Sequence, residues 1–171
     1  MNLQFYLEQL RSSDEFKKFL KENPKSYFCS GFFIVDKENK KGIGGDKSHL
    51  DFYSPTNKKV FSFDIKEGIK MIPLENFDKE PKEISDKFEF DFGEMENLIT
   101  KEAEKKNIKT KVQRFIFSLQ NHEGKTVLFG TAFLPMLAII KFEINLEKKI
   151  VESLEKKSLF DMIKVVKKGK E

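Results

Sequence analysis

The sequence predicts an α+β fold made of two units, each a helix followed by a four-stranded antiparallel meander, with a last helix after the second (α-β4-α-β4-α). Three observations predict it. Apolar residues recur at helical spacing near residues 2–22, 94–106 and 158–168. Between these stretches lie short aromatic and β-branched runs separated by turn residues, the pattern of hairpins rather than of βαβ units. The longest apolar passage, VLFGTAFLPMLAII over Val127 to Ile140, has 14 residues and contains Pro135. A membrane-spanning helix needs roughly 20 apolar residues, so this passage reads as two core strands joined by a turn.

In order, residues 2–22 are predicted helical, with Leu3, Phe5, Tyr6, Leu7 and Leu10 on one face and Phe16, Phe19 and Leu20 continuing it. Ser12 followed by Glu15 fits a capping box, which predicts a break into two helices. Asn23-Pro24 ends the helical stretch, because the residue before proline avoids the helical region. Residues 25–36 (SYFCSGFFIV within them) read as a central strand, apolar on both faces. The glycine-rich 37–47 is a turn, 49–53 and 59–64 are strands around Pro55-Thr56-Asn57, and 69–72 is a short edge strand. Residues 74–92 form a connector; nine acids against three lysines lie between Glu75 and Glu96, and alternating Phe88, Phe90 and Phe92 suggest an added strand. Residues 94–106 are a helix burying Met95, Leu98, Ile99 and Ala103, with acids first and lysines last, as the helix dipole favours. Strands follow at 110–120, 126–133, 137–145 and 149–154. Ser158 with Asp161 marks the cap of a final helix to about residue 168, carrying Leu159, Met162, Ile163 and Val166. The resulting organisation is residues 1–73, a connector 74–92, and residues 93–171, packed as one domain.

Composition narrows the function classes. With 171 residues, 39% hydrophobic and 35% charged, the chain is expected to be globular, soluble and cytoplasmic. Nineteen Phe and no Trp point to an aromatic core. Net charge is +4, from 32 basic and 28 acidic residues, too even to imply polyanion binding. Arginine occurs only as Arg11 and Arg114, and arginine is the better bidentate reader of phosphate and guanine. The one cysteine, Cys29, excludes an internal disulfide. The first residues have neither a basic region nor a long apolar region of a secretory signal.

The halves align with one another. Leu7-Glu8-Gln9-Leu10 matches Met95-Glu96-Asn97-Leu98, and Phe32-Phe33 matches Ile116-Phe117, an offset of 84. Leu50, Phe52, Lys58, Lys59 and Val60 match Ile140, Phe142, Lys148, Lys149 and Ile150, an offset of 90. Either the chain is an internal duplication or two helix-plus-meander units align by periodic pattern alone. A helix followed by a meander whose hairpin reads FYSPTNKKVFSF or FEINLEKKIVES resembles a PepSY or cystatin-like unit, in which a helix crosses a curled antiparallel sheet. The element order is also similar to that of bacterial secretion chaperones. Both resemblances imply non-enzymatic protein binding, and neither supplies site residues.

Candidate chemistry is sparse. Cys29 lies mid-strand among aromatics and is expected to be a buried, structural thiol. His49 and His122 are far apart with no second cysteine, so zinc-ligand spacing is missing. His49 and Asp51 share a strand face and would act as acid and base only within a pocket. Gly42, Gly44 and Gly45 precede a strand, whereas a phosphate loop precedes a helix. Glu89 and Asp91 alternate with Phe and do not face each other across a cleft. No cofactor, metal or catalytic residue is expected. Lys105, Lys106, Lys109, Lys111 and Arg114 form a basic stretch, as do Lys164, Lys167, Lys168 and Lys170. They make nucleic acid the second partner class, although lysine at a helix end is expected in any case. The favoured reading is a non-enzymatic module that binds a protein partner or a second copy of itself. Its contact would be Phe133, Leu134, Pro135, Met136 and Leu137, apolar where a hairpin tip is normally wet. A small-ligand pocket or enzyme beneath the curved sheet is the third reading.

Overall fold

Two polar side chains set the N-terminal helices. In the computed structural model, which describes residues 2–38, 46–66, 68–74, 79–85, 90–109 and 111–158, the Asn2 side chain accepts from the Phe5 N–H at 2.9 Å and starts α1 (Leu3–Ser12). Ser13 accepts from the Phe16 N–H at 3.2 Å and starts α2 (Asp14–Glu22). The break expected within 2–22 is thus present, between α1 and α2. The cap between them is Ser13, not Ser12, because the Ser12 hydroxyl bonds back to the Gln9 carbonyl and stays helical.

The strands are β1 (Tyr27–Asp36), β2 (Lys47–Ser54), β3 (Lys59–Asp64), β4 (Lys70–Leu74), β5 (Arg114–His122), β6 (Lys125–Leu134), β7 (Ala138–Asn145) and β8 (Ile150–Ser158), with α3 (Phe92–Lys105) between β4 and β5. They form one sheet in the order β4-β3-β2-β1-β5-β6-β7-β8, every pair antiparallel. Two meanders therefore run outward from the β1–β5 ladder, where Phe33 faces Phe117. Period-2 alternation puts Phe33, Leu50, Phe52, Phe63, Phe117, Leu128, Ile140 and Phe142 on one face, under the three helices. Phe16 meets Phe52 and Phe63 edge-on, and Phe92 at the start of α3 packs on both Phe33 and Phe117. Each of these rings contributes about 2–3 kcal/mol by burial. Buried Asn23 ties α2 to the β2–β3 turn by accepting from Ser54 Oγ at 2.8 Å and Asn57 Nδ2 at 2.6 Å.

Several expectations are corrected. Phe92 does not continue a strand; Asp91 accepts from the Gly93 and Glu94 N–H groups, so Phe92 opens α3. β5 begins at Arg114 rather than 110 and runs on to His122. Its turn is only Glu123-Gly124, both left-handed (φ 52° and 84°), the two-residue form whose twist matches a hairpin. Ser158 is the last residue of β8, which runs four residues beyond the strand expected over 149–154. The final helical stretch from Leu159, the lysines within it, the glycine-rich loop 42–45 and Phe88 lie outside the described residues. No helix among the described residues is long and apolar enough to cross a membrane.

Candidate functional site

The β6–β7 hairpin closes at the Leu134–Ala138 pair, leaving Pro135, Met136 and Leu137 as a three-residue tip. Met136 (φ 59°) and Leu137 (φ 55°) are both left-handed, a conformation that crowds Cβ against the backbone and costs roughly 1–2 kcal/mol per residue. Both are also exposed, Met136 at 91% and Leu137 at 52%. The five residues expected to act together divide. Leu134 is buried in the helix-side core, and Phe133 is half-buried. Phe133 pairs with Arg114 and Ile139, and its carbonyl accepts from the Gln113 N–H at 2.8 Å. Of the five, the three tip residues are the exposed ones.

Behind the tip, Asp36, Glu38, Gln113, Arg114 and Phe133 line an open hollow of about 290 Å³. Asp36 is buried, and both Nε and Nη2 of Arg114 donate to its Oδ2, at 3.0 and 2.5 Å. The basic stretch is largely engaged by the protein itself. Arg114 is spent on Asp36, Lys105 pairs with Glu102 at 2.9 Å, and Lys106 donates to the Leu154 carbonyl at 2.8 Å. Lys109 and Lys111 remain exposed.

The second polar region lies at the other end of β1. A bulge between Phe28 and Ser30 sets both Cys29 and Ser30 beside Asp51 of β2. Cys29 Sγ donates to the Asp51 carbonyl at 3.4 Å, and Ser30 Oγ donates to Asp51 Oδ2 at 2.6 Å. An open hollow of about 420 Å³ is lined by Cys29, Ser30, Phe32, Asp51 and, from the connector, Lys82. His49 is not among its walls; its ring lies 6.4 Å from that of Phe32. The His49–Asp51 pair therefore does not share this hollow. Sequence reading singled out Asp51 but not Ser30 or Lys82. Only the bulge, which leaves no compositional mark, brings Ser30 onto the carboxylate.

Burial, and secondarily the Asp51 charge, pushes the Cys29 thiol up to about 12. It is therefore neutral and a poor nucleophile at physiological pH. We expect native protein at pH 8 to resist a disulfide-exchange reagent and to be labelled only after unfolding. The raised value also fixes a sign. The unfolded thiol ionises near 9.0 while the folded one does not, so stability falls as pH rises from about 9 toward 12. Thermal melts of wild type and Cys29→Ala across that range should converge as pH rises. Among the described residues no group of three His, Cys, Asp or Glu side chains is placed to hold a metal.

Neither a protein-family model nor a curated protein matches the chain. The crystal structure of a "putative lipoprotein" from Clostridium difficile 630 superposes with a TM-score of 0.57 over 84% of this chain and 91% of that one, at 9% identity. At that identity the likeness extends to the fold alone.

Proposed function

We propose that the protein is a non-enzymatic binding module that engages a protein partner through the tip of the β6–β7 hairpin. The observation that carries this reading is the left-handed, exposed pair Met136-Leu137. A turn under selection for folding alone would use Asn or Gly at such positions. An apolar and strained turn is the form that a contact surface takes.

Leu134→Ser would remove a core side chain and report on folding, so the test uses Met136→Ser with Leu137→Ser. This double variant should melt like wild type and lose both self-association and partner capture. Undiminished capture and an unchanged oligomeric state would sink the reading. A companion variant separates strain from contact. Leu137→Gly relieves the backbone and should raise Tm by about 2–4 °C, equivalent to about 1 kcal/mol, while weakening partner capture. A lowered Tm would refute the strain.

The finer architecture belongs to the same proposal: the halves derive from one duplicated helix-and-meander unit. In its support, the β1–β5 ladder is symmetric about Phe33–Phe117, with Ile34 facing Ile116 on one side and Phe32 facing Ser118 on the other. Lys58 (φ 51°) and Lys149 (φ 52°) are the left-handed residues of corresponding turns. Their separation is one residue more than the 90 that the sequence alignment gives.

A further inference from the structure

The face of the sheet turned away from the helices is apolar at its centre. Alternation puts Phe33 and Phe117 under the helices, so their neighbours Phe32, Ile34 and Ile116 point the other way. On β6 the same rule turns Phe129 and Phe133 to that side. All five are half-buried. Ile34 faces Ile116, Ile116 faces Thr131, and Phe133 faces Ile139, so the patch is continuous from β1 to β7. Its rim is polar, with Lys47 beside Ile34, Lys141 beside Thr131 and Glu143 beside Phe129. An antiparallel sheet that leaves one face to water normally carries polar residues there, and an apolar patch rimmed by polar residues marks an interaction site. A hollow of about 390 Å³ opens on the patch, floored by Ile116, Phe129 and Thr131. The described part of the connector lies near Tyr27, whose hydroxyl donates to the Pro81 carbonyl at 2.7 Å, and none of its residues lines this hollow.

Where the chain leaves the sheet identifies the occupant. β8 ends at Ser158, opposite Ala138, and Lys157 lies opposite Ile139 at the border of the patch. The sequence continues as LFDMIKVVKK over residues 159–168, outside the described residues. Leu159, Met162, Ile163 and Val166 recur at helical spacing, and Lys164, Lys167 and Lys168 fall on the opposite side. We propose that residues 159–168 return as a helix over this patch and set that apolar stripe on Ile116, Phe129 and Phe133. The reach fits. β8 and β5 are three strand spacings apart in the sheet, about 14 Å, and a helix of about ten residues is about 15 Å long. The other face of the sheet is already taken, because the three helices bury its aromatic row. The contact is independent of the hairpin tip, where Met136 and Leu137 stay exposed.

Methyl and aromatic NOE spectroscopy on the full chain tests it. Cross-peaks are expected from the methyl groups of Leu159, Ile163 and Val166 to the Phe129 and Phe133 rings and the Ile116 methyls. In a sample mixed from isotope-labelled and unlabelled protein, isotope-filtered spectra should show none of these peaks between chains. Met162→Ser with Ile163→Ser should abolish the cross-peaks, shift the Ile116, Phe129 and Thr131 amides, and raise the fluorescence of a hydrophobic dye several-fold, while the α1 and α3 amides stay in place. Cross-peaks found only between chains would make a second copy the occupant and overturn the proposal. Cross-peaks to Met136 and Leu137 in place of the patch, or none to the patch at all, would overturn it as well. Equal dye binding by the variant and wild type would do the same.

Discussion

Gly130→Val is expected to prevent folding, and Gly130→Ala to destabilise the protein by about 3 kcal/mol, which for a chain of this size is about 10 °C in Tm. Gly130 faces Phe117 on one side and Phe142 on the other. The Phe142 ring lies across its bare backbone and reaches Phe117, with ring centroids 5.6 Å apart. A methyl group at Gly130 would overlap the tip of that ring and approach the Ile116 carbonyl oxygen to 2.5 Å. The ring can rotate away only by leaving the core, and the carbonyl is held in the β5–β6 ladder. Gly31 provides the internal control. Its added methyl would meet only Phe33 at 2.9 Å and Leu119 at 3.6 Å, both side chains, so Gly31→Ala should cost about 1 kcal/mol. Adding Phe142→Leu to Gly130→Ala should recover part of the loss, the remainder belonging to the carbonyl contact. Thermal melts of the four variants read this directly; equal Tm values for Gly130→Ala and wild type would show that the close approach does not exist.

Gly130 also shows where sequence reading stops. Within Val127 to Ile140 it registers only as an interruption of an apolar run, because composition cannot reveal which ring will lie on it. What alternation and turn chemistry encode locally was legible: β3 at Lys59–Asp64, the inward set Phe115, Phe117 and Leu119, and the α3 face of Met95, Ile99 and Ala103. The α+β class and the antiparallel sheet follow from the same local signals. The β1–β5 pairing that joins the meanders into one eight-stranded sheet does not, since it links residues about 84 positions apart. Nor does the bulge at Cys29–Ser30, which exists only relative to its partner strand. The hairpin tip was half legible: sequence marks five apolar residues, and strand alternation, read one residue further, buries Leu134 and leaves Phe133 half-buried beside the three exposed ones. The basic stretch divides for a related reason. Lys105, Lys106 and Arg114 are contiguous in charge along the chain, but Glu102, the Leu154 carbonyl and Asp36 are what they meet in space.

Arg114→Met should then destabilise the protein by about 3 kcal/mol, although Arg114 is itself partly exposed, because of what it leaves behind. Asp36 has a side chain only 3% accessible, and it receives two guanidinium hydrogen bonds on one oxygen and the Glu38 N–H at 3.0 Å on the other. Removing the cation strands a buried carboxylate, and breaking a buried pair from one side costs about 3–5 kcal/mol in well-enclosed cases; the exposure of Arg114 sets the expectation at the lower end. Losing both charges together is a different matter. Asp36→Asn with Arg114→Met keeps an acceptor for the Glu38 N–H and removes the uncompensated charge, so the double variant should be more stable than Arg114→Met alone by about 1–3 kcal/mol. The double-mutant cycle, read by denaturant unfolding, measures that coupling. The outcome bears on function as well as on stability. Asp36 and Arg114 join the ends of the two central strands, and Arg114 pairs with Phe133 at the base of the hairpin. If the coupling is large, the pair anchors the strained tip to the centre of the sheet, and the double variant should retain partner capture that Arg114→Met loses. If the two singles and the double are equally stable, the ion pair holds nothing, and the tip owes its geometry to the β6–β7 ladder alone.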